Sequence, residues 1–200
     1  MTIVAVSKQQ STDAIQRAYR AGQRDFGESY VQEAEPKLAA LAELDIVWHF
    51  IGRIQGNKTR FIAEHFHWVH TVDRERIARR LAEQRPYHAP PLNVLIQVNL
   101  AGEPQKGGVA PEEVEPLADF VARFDRLALR GLMTIPPAGL PADEAQAHFE
   151  RLAALNARLA ARGLPVDTLS MGMSDDFEIA IAAGSTCVRI GTAIFGERGH

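Results

Sequence analysis

Two hundred residues with a formal charge of −3 are enough for one domain with a full core, and the chain reads as a single domain over residues 1–200. The mild acidity gives no electrostatic reason for a nucleic-acid partner, and no stretch approaches the roughly 20 apolar residues of a membrane span. The single cysteine, Cys187, excludes an internal disulfide, and no Cys/His cluster has zinc spacing. With no basic segment leading into an apolar run, a secretion signal is not expected and a reducing cytoplasm is. Lys8, Lys37, Lys58 and Lys106 are the only lysines, which leaves few places for amine chemistry.

The chain opens on a β-branched strand, residues 2–7 (TIVAVS), that delivers Lys8 to its C-terminal end. If Lys8 faces inward, Val4 and Val6 do too, and both faces of the strand are nearly apolar, as in a parallel strand covered on both sides. An ammonium half out of water there has a lowered pKa and becomes a nucleophile towards carbonyls. A strand-end lysine that merely reaches solvent is the alternative.

Further along, Ser11-Thr12-Asp13 can cap a helix to about residue 21, stopped by Gly22. A second strand covers 24–27, and a helix over 30–43 carries Pro36, which should weaken or break its first half. A third strand, 46–51 (IVWHFI), leads to a helix over 57–64. A fourth, 68–72, precedes a charged helix capped by Asp73 that stops before Pro86. Residues 92–99 (LNVLIQVN) are the strongest strand. A Gly-rich loop, 101–108, leads to a helix over 111–123, a strand over 127–134 and an alanine-rich helix over 142–162. A strand at 168–171, a helix at 175–183 and a strand at 186–191 follow.

Eight strands separated by seven helices suggest a (βα)₈ barrel. An open doubly wound sheet is the alternative, but it lacks the GxGxxG expected after the first strand. Closing a barrel sets the eighth strand beside the first. Arg189 and Lys8 then share the C-terminal rim, where barrel enzymes build their sites.

Chemistry concentrates in four stretches: Lys8; LSMGMSDD over 169–176; VRIGTAIFG over 188–196; and HFIGRIQGNK over 49–58. Barrels commonly bind phosphate with the loops after strands seven and eight. Ser174 and Thr192 can donate hydroxyls there, and the N–H groups of Gly191 and Thr192 can point at phosphate oxygens. Each piece has an ordinary reading as well. Gly-Thr is turn chemistry, Ser-Asp-Asp is an N-cap, and Asp175 and Asp176 read as helix N-terminal charges. Arg189 could pair with Asp175 or Glu197. His49 reads as a hydrogen-bonded structural histidine before a general base, and Met133, Met171 and Met173 as packing. Lys106 and Lys58 read as solvated, with Lys106 a conceivable transit point for a ligand. The combination is more specific than its parts: an amine, a phosphate cradle and an inward arginine suit an aldehyde that carries phosphate and a ring nitrogen, namely pyridoxal 5′-phosphate.

VAVSK (4–8), FGESYVQE (26–33), HFIGRIQGNK, LSMGMSDD and RIGTAIFG (189–196) occur in order, and through them the chain resembles the pyridoxal phosphate homeostasis proteins, single-domain relatives of the alanine racemase N-terminal barrel. The resemblance covers essentially the whole chain. It implies Lys8 as the Schiff-base lysine, Ser174, Gly191 and Thr192 as phosphate ligands, Arg189 at the pyridine nitrogen and Ile51 in the pocket wall. Two departures stand out. Ser29 replaces the family's usual asparagine near the cofactor, so that contact should be shorter or bridged by water. The helix that usually precedes strand one is also not seen, so a truncated start or bare apolar surface on the barrel is expected.

The resemblance further implies a role in vitamin B6 homeostasis, with pyridoxal phosphate as cofactor and apo enzymes that use it as possible recipients; a monomer is expected. An arginine at the pyridine nitrogen opposes its protonation and weakens the ring as an electron sink. Racemisation needs an acid/base on each face of the α-carbon. Relatives that racemise draw the second from another domain. A carrier with little or no turnover is therefore expected, against two alternatives: a weak amino-acid racemase or lyase, and a cofactor-free phosphate-binding isomerase using His49 and a carboxylate.

Overall fold

Alternating strands and helices wind into a closed ring in the computed structural model, which describes residues 1–103 and 106–196. In chain order the elements are β1 (Thr2–Val6), α1 (Thr12–Arg20), β2 (Asp25–Glu28), α2 (Val31–Ala40), β3 (Val47–Phe50), α3 (Thr59–His65), β4 (Trp68–Val72) and α4 (Glu75–Gln84). They continue as β5 (Leu92–Gln97), α5 (Val114–Val121), β6 (Leu127–Met133), α6 (Ala142–Ala161), β7 (Thr168–Ser170), α7 (Phe177–Ala182), β8 (Cys187–Ile190) and α8 (Thr192–Phe195). Each strand pairs in parallel with the next, and β8 pairs with β1, so the sheet is the (βα)₈ barrel expected. The first element is a strand with no helix before it, and on its outer face Ile3 is 47% exposed.

Local chemistry explains most boundaries. The Ser11 hydroxyl accepts from the Ala14 N–H, and Gly22 at φ +104° turns the chain out of α1. Pro36 lies inside α2 without breaking it, contrary to expectation, although the helix ends at Ala40. Asp73 does not cap α4: the cap position is Arg74, and the Asp73 carboxylate takes a 2.5 Å bond from the Arg74 guanidinium instead. α7 begins at Phe177 rather than 175, because the Asp176 carboxylate accepts from the Met173 N–H at 2.6 Å and holds the turn before it. The short α8 beyond β8 is an element the periodicity does not show.

Two shells of side chains fill the structure. Outward-facing residues such as Phe26, Phe50 and Val94 pack against helix residues such as Ile15, Ile62 and Leu81 in one apolar layer. The lumen differs. Barrel interiors are usually filled by branched apolar side chains, but here His49, His70, Ser170 and Arg189 sit inside, each at most 4% exposed. Near the C-terminal mouth, Gly52 packs so tightly on the end of β2 that a Cβ there would fall 1.9 Å from the Ser29 carbonyl oxygen.

Two outcomes follow from this packing. Gly52→Ala must push the strand ends apart and should cost about 2–3 kcal/mol, read as a drop in the urea midpoint. Burial lowers the pKa of both lumen histidines, with the Asp25 hydrogen bond opposing this at His49 and the His49 and Arg189 charges adding to it at His70. Below about pH 6.5 the unfolded chain is then the better proton acceptor, so stability is complete above that value and falls as the pH drops. Each histidine should contribute a slope of up to about 1.4 kcal/mol per pH unit. Urea titrations at pH 7.5, 6.5 and 5.5 check it; equal stabilities would refute it.

Candidate functional site at the C-terminal mouth

The turn after β1 holds Lys8 on a rigid base. The Ser7 N–H donates to the Gly27 carbonyl at 2.9 Å, and the Ser7 hydroxyl donates to Glu28 Oε1 at 2.6 Å. Lys37 reaches in from α2 and donates to the Ser7 carbonyl oxygen at 2.8 Å, to Glu28 at 2.9 Å and to Glu33 at 2.6 Å. The Gln9 N–H donates to Glu33, and Gln9 adopts φ +62°, a conformation a non-glycine residue holds only where its surroundings fix it. Burial raises the Glu28 pKa against the pull of Ser7 and Lys37, and its Oε2 has no hydrogen-bond partner among the described residues. These contacts fix Ser7 and Gln9, the residues on either side of Lys8.

Lys8 itself is half-buried and lines a cavity of about 290 Å³ with Ser29, Tyr30, Phe50, Arg53 and Lys58. Lys58 is thus drawn to the site rather than to open solvent. A Cβ on Gly27 would touch both Ile51 Cδ1 and Val4 Cγ1 at 3.0 Å, which puts the Ile51 side chain against the inward face of β1.

β8 lies beside β1. Val4 pairs with Arg189, so alternation points Val4 and Val6 to the same side as the arginine, and Lys8 follows in the turn after β1. The guanidinium donates to Ser170 Oγ at 2.7 Å and to the Thr134 carbonyl oxygen at 3.0 Å. It does not pair with Asp175, and Glu197 lies outside the described residues. Gly191 is the N-cap of α8, and a Cβ on it would lie 3.6 Å from Val6 Cβ. The start of α8, with exposed Thr192, therefore adjoins the end of β1, two residues before Lys8. Ser174 is half-buried in the turn between β7 and α7.

Lys8 and Ser29 thus share one cavity, Arg189 lies deeper in the lumen, and Gly191 and Thr192 stand at the rim beside β1. Ser174 occupies the neighbouring turn. Two expectations fail: Met173 is 37% exposed rather than packed, and the Lys106 ammonium is tethered to the Pro136 carbonyl oxygen at 3.0 Å and to Glu103 at 2.6 Å.

Sequence reasoning missed two groups. One is the Ser7–Glu28–Lys37 base. The other is a line of polar side chains through the lumen. Ser170 Oγ lies 2.8 Å from His70 Nδ1, His70 Nε2 lies 2.9 Å from His49 Nδ1, and His49 Nε2 lies 2.9 Å from Asp25 Oδ1. Strand parity was the available signal, since Asp25, Gly27 and Ser29 alternate with Phe26 and Glu28, and His49 and Ile51 with Trp48 and Phe50.

Residues 1–199 match the family profile described as alanine racemase, N-terminal domain. The chain is 55% identical over 203 residues to the pyridoxal phosphate homeostasis protein of Vibrio cholerae, covering 99% of this chain and 86% of that one. It is 53% identical over 206 residues to the protein of the same name from Escherichia coli K12, covering 100% and 87%. Among solved structures, PipY of Synechococcus elongatus with pyridoxal phosphate bound superposes with a TM-score of 0.91 at 40% identity, covering 98% of this chain and 92% of that one. The alanine racemase of Corynebacterium glutamicum, at 19% identity and a TM-score of 0.73, shares the fold. Fold, blocks of sequence and full-length likeness agree: the chain belongs to the pyridoxal phosphate homeostasis protein family, within the alanine racemase N-terminal domain family.

Proposed function

We propose that this chain binds pyridoxal 5′-phosphate at the C-terminal mouth and serves vitamin B6 homeostasis as a carrier and buffer. The observation that supports the reading is the β1–β8 pairing, which sets Val4 beside Arg189 and brings the turn carrying Lys8 and the start of α8 to the same end of these two strands. PipY, 40% identical, has been solved with pyridoxal phosphate bound. The residues here fit that group. Arg189 is a buried cation whose two hydrogen-bond acceptors are neutral, so it welcomes a neutral ring nitrogen and resists a protonated one. Lys8 would hold the aldehyde carbon as a Schiff base, Gly191, Thr192 and Ser174 the phosphate, and Ser29 and Ile51 the walls.

When bound, the cofactor supplies an electrophilic aldehyde and a conjugated ring able to take up electrons. The chain's own residues restrain it. Arg189, a cation that only donates, would disfavour a proton on the ring nitrogen, and Lys8 would offer a single proton acceptor. This favours storage and hand-over to apo enzymes over turnover, and suits a cytoplasmic monomer. No helix among the described residues is long and apolar enough to cross a membrane.

Borohydride reduction of the protein mixed with pyridoxal phosphate, followed by peptide mass mapping, should place pyridoxyl on Lys8, and Lys8→Ala should lose the visible imine band. Attachment to Lys58 or Lys106 alone, or none, would overturn the site. In a coupled assay with L-amino acids the wild type should show no robust turnover; turnover abolished by Lys8→Ala would instead make the protein an enzyme.

A further inference from the structure

The lumen carries one hydrogen-bonded line from the N-terminal mouth to the buried Arg189. It runs from Arg189 on β8 to Ser170 on β7, His70 on β4, His49 on β3 and Asp25 on β2, with links of 2.7, 2.8, 2.9 and 2.9 Å. The three middle members are at most 2% exposed, so water does not interrupt it. Its far end opens on a cavity of about 280 Å³ at the N-terminal mouth, lined by Asp25, His49, Trp68, Arg130 and Cys187. Trp68 stacks on the His49 ring at 5.7 Å and keeps it in plane with the line.

The two ends fix the direction of every link. A guanidinium only donates, and an ionised carboxylate only accepts. Asp25 therefore takes the proton of His49 Nε2, leaving His49 Nδ1 as an acceptor. His70 Nε2 must then carry a proton and His70 Nδ1 a lone pair, which accepts the Ser170 hydroxyl proton. Ser170 is left with its lone pairs facing Arg189, and the Cys187 thiol beside it, kept protonated by burial, can donate to Ser170 in its turn. Both imidazoles stay neutral, in accord with their burial.

We infer that Asp25, His49, His70 and Ser170 are positioning residues for Arg189: the carboxylate at the N-terminal mouth orders a one-way line of hydrogen bonds that presents an acceptor to the buried guanidinium and fixes it for the cofactor ring. This rests on the proposed place of Arg189 at the ring nitrogen. Asp25, with 29% of its side chain exposed, becomes a remote control on how firmly the ring is held.

Nitrogen-15 NMR of the ligand-free protein tests the line without any cofactor. Both His49 and His70 should be neutral near pH 7.5 with the proton on Nε2; a proton on Nδ1 of either, or a doubly protonated ring, would overturn the inference. Asp25→Lys puts a donor where the line needs an acceptor and should move the His70 proton to Nδ1, two links away. Asp25→Ala, the milder change at this half-exposed position, should give a mixture of the two forms. In both variants pyridoxal phosphate should still attach to Lys8, with a shifted imine band and an affinity about five- to tenfold weaker. His70 unchanged in both variants, or band and affinity unchanged, would sink the positioning role. A wild type that forms no imine at all would refute the cofactor reading, while the histidine result would still judge the line.

Discussion

Barrel closure is the constraint from which everything else descends. Residues 2–5 and 187–190 are as far apart in sequence as this chain allows, yet they lie in register, Val4 beside Arg189. Such a contact closes a very long loop and brings little enthalpy of its own. It is affordable because each intervening βα unit buries an apolar stripe against the next, and the ring joins only when all eight are in place. The site is thus an end product of the whole fold. Lys8 alone is an amine on a strand, and Arg189 alone a buried cation.

The lumen shows what that closure encloses. A barrel filled with branched apolar residues would be drier and would cost less to assemble. This one encloses two imidazoles, a hydroxyl and a guanidinium, and it meets the cost by leaving few of their polar atoms without a partner. Ser170 serves His70 and Arg189 together, and the Thr134 carbonyl takes the second guanidinium nitrogen. Partly satisfied networks are the expensive ones. Outside the lumen the accounting has exceptions, among them Glu28 Oε2, left without a partner next to Lys37.

Much of the fold was legible because its signals are local. The Ser11 cap, the Gly22 stop and the apolar runs of β4, β5 and β6 each state their role within a few residues. Asp73 misled because a capping residue one position from an arginine has a nearer charge to satisfy. The neighbourhood of the first and last strands was legible because parallel closure is a topological rule. The lumen line was not, since it needs the register of five strands at once; Asp25, His70 and Ser170 look like unremarkable polar residues until their parity is laid side by side. Lys37 was missed for a different reason. Its helix position gives no hint that the side chain crosses to the next layer and ends 8% exposed between two carboxylates.

That buried lysine has a further consequence for selectivity among amines. An aldehyde reacts with whichever amine offers a lone pair, and four lysines compete on this chain. The Lys37 ammonium spends its hydrogens on Ser7, Glu28 and Glu33, and an ammonium so occupied has nothing to attack with. The same three bonds brace the turn that presents Lys8. A single side chain thereby withdraws itself from the competition and braces the turn that carries Lys8, so under the proposed reading loading on Lys8 would depend on an amine kept silent as well as on the amine that reacts.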